Sequence, residues 1–277
     1  MPKSELPIGV RYAQILSGDY EALGRLLDDC DEIVDLAHAT VPKTSFDDPI
    51  RDLTLNLPFN VKLLELASLR KLRRIVFVSS GGTVYGDANY LPIDESHPTN
   101  PISPYGITKL AIEKYGLMYW RTRQLPIVIV RPSNPYGPGQ YPNLGQGFIA
   151  AAIHNVIREQ PITVFGERGA VRDYIYIDDL AAGIAAALDF GTPGSIYNIG
   201  SGSGLSNISV IEKIDLLAGA SGSPRATIRI EPPRSFDVAQ NVLSVKKMAE
   251  ELNWKPMMGI DEGLDRTWSW MRRLVQD

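Results

Sequence analysis

The sequence predicts an α/β protein built on a parallel sheet, and three observations carry that expectation. Short β-branched runs alternate with longer stretches of helical period up to about residue 200. Two of these runs, Ile75-Val76-Phe77-Val78 and Ile127-Val128-Ile129-Val130, are apolar at every position, as strands covered on both faces are. Nine of the twenty prolines fall between Pro92 and Pro142, which marks shaped loops at strand ends, where α/β proteins bind ligands.

Taken in order, strands are expected at 10–15, 32–36, 75–79, 127–131, 162–165 and 196–199. Between them lie helical patterns at 20–28, 56–69, 104–124, 145–159 and 179–190. Beyond residue 200 the pattern changes to a helix at 208–218, a strand at 227–231 and helices at 245–253 and 261–274, joined by Gly- and Pro-containing turns. Two units are expected, 1–160 and 161–277, with 174–190 returning to the first.

Composition narrows the function. The 277 residues are 44% hydrophobic, enough for a large core, and the modest Gly and Pro content excludes fibrous and disordered classes. Lys and Arg total 28 against 32 Asp and Glu, a formal net charge of −4, so no basic field invites nucleic acid. Cys30 is the only cysteine and cannot form an internal disulfide, which fits a reducing, cytoplasmic setting. The start, Met1-Pro2-Lys3-Ser4-Glu5, has no signal-peptide pattern, and apolar runs stop short of the ~18 residues of a membrane span. His38, His97 and His154 lack metal-ligand spacing, so no metal is expected.

Two stretches carry chemistry. Ser79-Ser80-Gly81-Gly82-Thr83-Val84-Tyr85-Gly86 leaves a buried strand and sets hydroxyls and glycines at its carboxyl end. Ser103-Pro104-Tyr105-Gly106-Ile107-Thr108-Lys109 reads as a helix start, with Ser103 as N-cap and Pro104 at the first helical position. Tyr105 and Lys109 then share one helix face. An ammonium beside a phenol favours the phenolate, which would make Tyr105 a base near neutrality. A Tyr and a Lys four apart are common by accident; the strand-end motif and the capped helix give this pair its meaning.

With these motifs the chain resembles the extended short-chain dehydrogenase/reductases, in their NAD-dependent epimerase/dehydratase group, and most closely the UDP-glucose 4-epimerase-like members. The resemblance runs from Gly18-Asp19 through Leu36-Ala37-His38-Ala39, Asn56 and Arg131-Pro132-Ser133-Asn134-Pro135-Tyr136-Gly137-Pro138-Gly139. It continues in Arg172-Asp173-Tyr174-Ile175-Tyr176-Ile177-Asp178-Asp179, Tyr197-Asn198-Ile199-Gly200, Arg234 with Asp237-Val238, and Leu252-Asn253-Trp254-Lys255-Pro256. It implies a Rossmann-like doubly wound sheet that binds NAD, followed by a smaller C-terminal α/β lobe that binds a nucleotide sugar. It makes Tyr105 the catalytic base and acid, Lys109 the holder of the nicotinamide ribose, and Ser80 or Thr83 the assisting hydroxyl. It places Asp19, Leu36, Ala37, His38, Asn56, Ser79 and Pro132 on the cofactor. Gly81, Gly82, Asn134, Arg172, Arg234 and Asp237 fall on the substrate, the two arginines as phosphate forks. The reaction implied is C4 epimerisation through a transient 4-keto sugar, with NAD unchanged overall. A homodimer through the helices at 56–69 and 104–124 is also implied.

Two departures matter. The family's catalytic hydroxyl falls on Gly81, so Ser80 or Thr83 must replace it. The same alignment sets Gly82-Thr83 where sugar dehydratases carry Asp-Glu, which favours epimerisation over elimination. The family also opens with a strand and a G-x-x-G-x-x-G turn for the pyrophosphate, and this chain begins near the third strand, about 40 residues later by the spacing of the fold. The expectation is thus an N-terminally truncated sheet with free strand edges. Gly200-Ser201-Gly202-Ser203-Gly204 imitates the missing loop but has Leu205 where Gly is needed, and reads as a turn near the substrate. The alternatives are a cofactor-poor relative that binds sugar nucleotides without turnover, and another nucleotide-sugar oxidoreductase or dehydratase on the same fold.

Overall fold

The computed structural model describes residues 7–16, 18–142, 146–234 and 238–276. The first half contains α1 (Tyr20–Asp28), β1 (Glu32–Asp35), α2 (Pro42–Asp47), α3 (Pro49–Ala67), β2 (Arg74–Val78), α4 (Pro104–Arg123), β3 (Ile127–Pro132) and β4 (Asn134–Tyr136). The second contains α5 (Phe148–Ile157), β5 (Ile162–Phe165), β6 (Val171–Tyr176), α6 (Ile177–Phe190), β7 (Ile196–Ile199) and β8 (Gly204–Ser206). It ends with α7 (Asn207–Ala220), β9 (Ile228–Glu231), β10 (Gln240–Asn241), α8 (Lys246–Leu252) and α9 (Ile260–Gln276).

The main sheet runs β1-β2-β3-β7, every pair parallel. Its two central strands are the all-apolar runs, and alternation explains why they must be. Val76, Val78, Val128 and Val130 pack on one face against α6 and α8, through Leu180, Met248 and Leu252. Ile75, Phe77, Ile127 and Ile129 face the other side against α3 and α4, through Leu64, Ile112 and Tyr119. Both faces are covered, as the doubly wound reading requires.

A second set of strands, β10-β6-β4 with β8 antiparallel to β6, and the parallel pair β5-β9 lie beside this sheet. Their core is formed with α5, α7 and α9: Ile149 and Ile153 from α5, Val210 and Ile214 from α7, and Leu264, Trp268 and Met271 from α9. Core clusters follow space rather than chain order: α5 joins this second cluster, whereas α6, β7 and α8 return to the main sheet. No helix among the described residues is long and apolar enough to cross a membrane.

Three local differences from the sequence reading have physical causes. Residues 10–15 form no strand; Val10 and Tyr12 are exposed and only Ile15 packs, against the Leu23-Leu27-Leu63 cluster. Alternation alone cannot make a strand without a neighbouring backbone edge, and the described partner of β1 is β2 alone. Helix α3 begins at Pro49 rather than 56, because the Asp48 carboxylate accepts the Arg51 amide at 2.9 Å and Pro49 takes the first helical position. The strand expected to open 174–190 and return to the main sheet is β6, which starts at Val171 and pairs with β10, β4 and β8 instead.

Candidate active site

A cavity of about 640 Å³ opens where the carboxyl ends of β1, β2 and β3 meet the second set of strands. Most residues singled out in the sequence line it: Leu36 and His38; Ser79, Ser80, Gly82 and Thr83; Tyr105 and Lys109; Pro132 and Asn134; Arg172 and Arg234. The sequence reading did not name Tyr136, Tyr174 and Phe148, which also line it. Tyr136 and Tyr174 lay inside quoted motifs, but only the fold turns their rings toward the same space.

Local sequence sets the Tyr105–Lys109 face. Ser103 is the N-cap of α4, its hydroxyl accepting the Gly106 amide at 3.1 Å, and Pro104 follows as expected. Lys109 is buried, and its Nζ donates to the Val78 carbonyl at 2.8 Å, pinning α4 to the end of β2. The same ammonium lies 5.8 Å from the centre of the Tyr105 ring.

The electrostatics correct one expectation. Burial pushes the Tyr105 phenol up to about 12, and the Asp52 carboxylate adds to that rise. The lysine itself is pulled down to about 8 by burial, against the opposing charges of Asp35, Glu113 and Asp52. Desolvation therefore dominates at both groups. His38 stands edge-on to Tyr105, ring centres 4.6 Å apart. Burial, aided by the Lys109 charge, lowers His38 to about 4, so its imidazole is neutral near pH 7. Among the described residues neither ring nitrogen has a hydrogen-bond partner within 3.5 Å, the nearest carboxylate oxygen being Asp52 Oδ1, 3.6 Å from Nε2.

A side chain has no room at Gly81. A Cβ there would lie 2.6 Å from Leu243 Cδ1 and 2.9 Å from the Arg131 carbonyl oxygen. The Gly81 amide donates to Pro132 O at 2.8 Å, so the backbone is drawn against β3. Gly81 is outside the cavity lining, whereas its neighbours Ser80 and Thr83 line it. The Thr83 hydroxyl and the Asn134 amide oxygen are buried and have no hydrogen-bond partner among the described residues.

Other expected contacts have different duties here. Asp19 caps α1, accepting the Ala22 amide at 2.9 Å, and is not part of the cavity lining. Asn56 accepts the Ala39 amide at 2.7 Å and donates to Thr40 and to the Asp52 carbonyl, holding the loop after β1 rather than facing the cavity. Ala37 is also outside the lining; its amide donates to the Asp35 carboxylate at 3.0 Å. Asp237 lies outside the described residues. In the Gly200–Gly204 loop, the Ser201 and Gly202 amides donate to the Asp173 carboxylate at 2.7 and 3.2 Å. A carboxylate of the protein itself occupies those donors, so this glycine-rich loop is structural.

On the substrate side, Arg172 and Arg234 approach the cavity from β6 and from the segment after β9. The Arg234 guanidinium lies 4.1 Å from the centre of the Phe165 ring, a cation–π contact. A titratable phenol, a buried ammonium, unbonded hydroxyl and amide groups and two guanidinium forks thus converge on one cavity. This set can move a proton at a hydroxyl and hold phosphates.

Residues 8–200 match the model of the NAD dependent epimerase/dehydratase family. A UDP-glucose 4-epimerase of Mycolicibacterium smegmatis is 34% identical over 244 residues, covering 88% of this chain and 77% of that protein. The structure is similar to that of Thermus thermophilus UDP-glucose 4-epimerase in complex with NAD, with a TM-score of 0.88, 32% identity, and 96% and 86% of the two chains covered. It is also similar to the Thermotoga maritima UDP-glucose 4-epimerase with UDP-glucose, with a TM-score of 0.86, 30% identity, and 93% and 82% covered.

Proposed function

The chain belongs to the NAD-dependent epimerase/dehydratase family, and from that premise we propose that it epimerises C4 of a nucleotide sugar of the UDP-glucose/UDP-galactose type, with NAD as cofactor. The observation that carries this reading is the Tyr105–Lys109 face, set by the Ser103 cap and the Val78 carbonyl, opening on the same cavity as Arg172 and Arg234.

The residues present fit the nicotinamide end of the cofactor. Among the described residues the His38 ring nitrogens have no hydrogen-bond partner within 3.5 Å, Lys109 Nζ gives one of its protons to Val78 O, and Pro132 and Leu36 supply apolar wall. Lys109 and Tyr105 would hold that ribose. NAD, when bound, supplies a hydride acceptor and donor at C4 and, oxidised, a positive charge that favours ionisation of Tyr105.

This chain's own groups do the rest. The Tyr105 phenolate takes the proton of the 4-hydroxyl; with loss of the C4 hydride to the acceptor that bound NAD would supply, the sugar would become the 4-ketone, and Tyr105 returns the proton after the sugar presents its other face. The Thr83 or Ser80 hydroxyl orients the sugar oxygen. Arg172 and Arg234 hold the diphosphate, and Asn134 donates to the diphosphate or sugar. Gly82 and Thr83 offer no acid–base pair for elimination, which supports epimerisation over dehydration.

We also propose a homodimer through α3 and α4. These helices pack together and leave a stripe of Ile50, Leu53, Ile107, Tyr115 and Met118 exposed. A cytoplasmic setting is proposed from the single cysteine.

The test is calorimetric titration with NAD and with UDP-glucose, followed by an interconversion assay. Tyr105→Phe is expected to cut turnover by about 10²–10⁴-fold while UDP-glucose binds within about twofold of wild type. Turnover retained in that variant sinks the assignment of the base. Binding of both ligands without interconversion sinks the reaction.

A further inference from the structure

Behind Tyr105 stands a buried carboxylate that the steps above do not use. Asp52, on α3, has no exposed surface. Its Oδ2 accepts the Thr108 hydroxyl at 2.6 Å, and its Oδ1 accepts the Thr40 hydroxyl. Thr108 lies between Tyr105 and Lys109 on α4; Thr40 lies two residues beyond His38 on the loop after β1. His38 Nε2 is 3.6 Å from Asp52 Oδ1, while the face of the cluster away from Asp52 is the Tyr105 ring. Burying a carboxylate costs several kcal/mol unless its lone pairs are filled. Two hydroxyls from two different elements fill them here, an arrangement that packing alone does not need.

We propose that Asp52 is a positioning residue for the reaction: by bridging Thr108 of α4 to Thr40 of the β1 loop, it fixes the Tyr105–Lys109 face against His38. This rests on the reading of Tyr105 as the proton acceptor. The charge has a second effect, since Asp52 holds the phenol in its protonated form and draws the His38 ring toward protonation against the effect of burial. The titratable groups facing this cluster are His38 from the β1 loop, Asp35 at the end of β1, Lys43 from α2, and Tyr105, Lys109 and Glu113 from α4. Lys109 opposes Asp52, and Asp35 and Glu113 are balanced against Lys109 rather than against the phenol.

Two variants separate tether from charge. Asp52→Asn keeps the shape and an acceptor but removes the charge; Thr108→Ala keeps the charge but removes one arm. The readouts are kcat and KM in the interconversion assay, and titration of tyrosines labelled with carbon-13 at Cζ, with Tyr105 assigned by its absence in Tyr105→Phe. In Asp52→Asn the Tyr105 signal is expected to titrate about one pH unit lower, so its ionised fraction below the midpoint rises about tenfold. In Thr108→Ala, kcat is expected to fall about tenfold with KM and the Tyr105 titration unchanged, and Thr108→Ser is expected to restore it. Overlapping Tyr105 titrations in Asp52→Asn and wild type, or wild-type kcat in Thr108→Ala, would overturn the proposal. The nuclear magnetic resonance titration needs no turnover, so a protein that binds but does not interconvert still tests Asp52 separately from the assigned reaction.

Discussion

At Gly81, a missing side chain decides the chemistry around it. With Leu243 Cδ1 and the Arg131 carbonyl where a Cβ would sit, Gly81→Ser overpacks a site closed by backbone on two sides. The expected cost is about 1–3 kcal/mol in urea unfolding, with no gain in turnover from the added hydroxyl. Asp35 offers a pH test. Burial raises its carboxyl from 3.8 to about 6, despite the Ala37 amide and the Lys109 charge. An acid whose folded value lies above its unfolded value favours the folded state most at low pH, and that contribution is lost as pH climbs from about 4 to 6. Asp35→Asn keeps the acceptor for Ala37 and removes the penalty. It should raise Tm at about pH 7.5 and leave it nearly unchanged at about pH 4, with about 1–2 kcal/mol separating the two conditions. A rise of equal size at both would exclude a titration origin. The roles of Gly81 and Asp35 were not legible in the sequence, since each depends on a neighbour distant along the chain. Tyr105 and Lys109 were legible, because helix geometry alone puts them on one face. The phenol's proton affinity was not, because burial dominates it.

Elements hold these residues through a few buried connections. Glu113 of α4 and Arg131 of β3 form a bidentate pair, with Arg131 Nε and Nη2 donating to the carboxylate at 3.0 and 2.6 Å. Both are fully buried, and Ser79 at the end of β2 donates to the same carboxylate at 2.5 Å. The pair therefore locks α4 to two central strands one helical turn beyond Lys109. Glu113→Ala leaves the guanidinium buried without its counter-ion, and a loss of about 3–5 kcal/mol in denaturant unfolding is expected. Glu113→Ala as stable as wild type would mean that the guanidinium finds water or another partner. At this scale the sequence was readable wherever an element announces itself locally: the Ser103-Pro104 cap, the apolar β2 and β3. It misled at 10–15, where alternation has no described edge to pair with, and at the start of α3, where the Asp48 cap adds two turns.

For the whole molecule, the cavity exists because the main sheet and the second set of strands meet at the carboxyl ends of β1–β3. None of the exposed residues Ile50, Leu53, Ile107, Tyr115 and Met118 of α3 and α4 lines that cavity, so assembly and binding are predicted to be separable. Ile107→Arg combined with Met118→Arg should halve the mass seen by light scattering while UDP-glucose affinity stays within about twofold. An unchanged mass would reject this face as the interface. The sequence by itself determined the α/β class, the two buried central strands, the Tyr105–Lys109 face and the family. All of these follow from contiguous patterns or from short spacings on one element. Tertiary structure alone decided which hydroxyls can face the cavity, where the charges lie and what holds the catalytic helix. Those depend on side chains far apart in sequence, Asp52 with Thr108 and Arg131 with Glu113, whose energies arise only once folding has removed them from water.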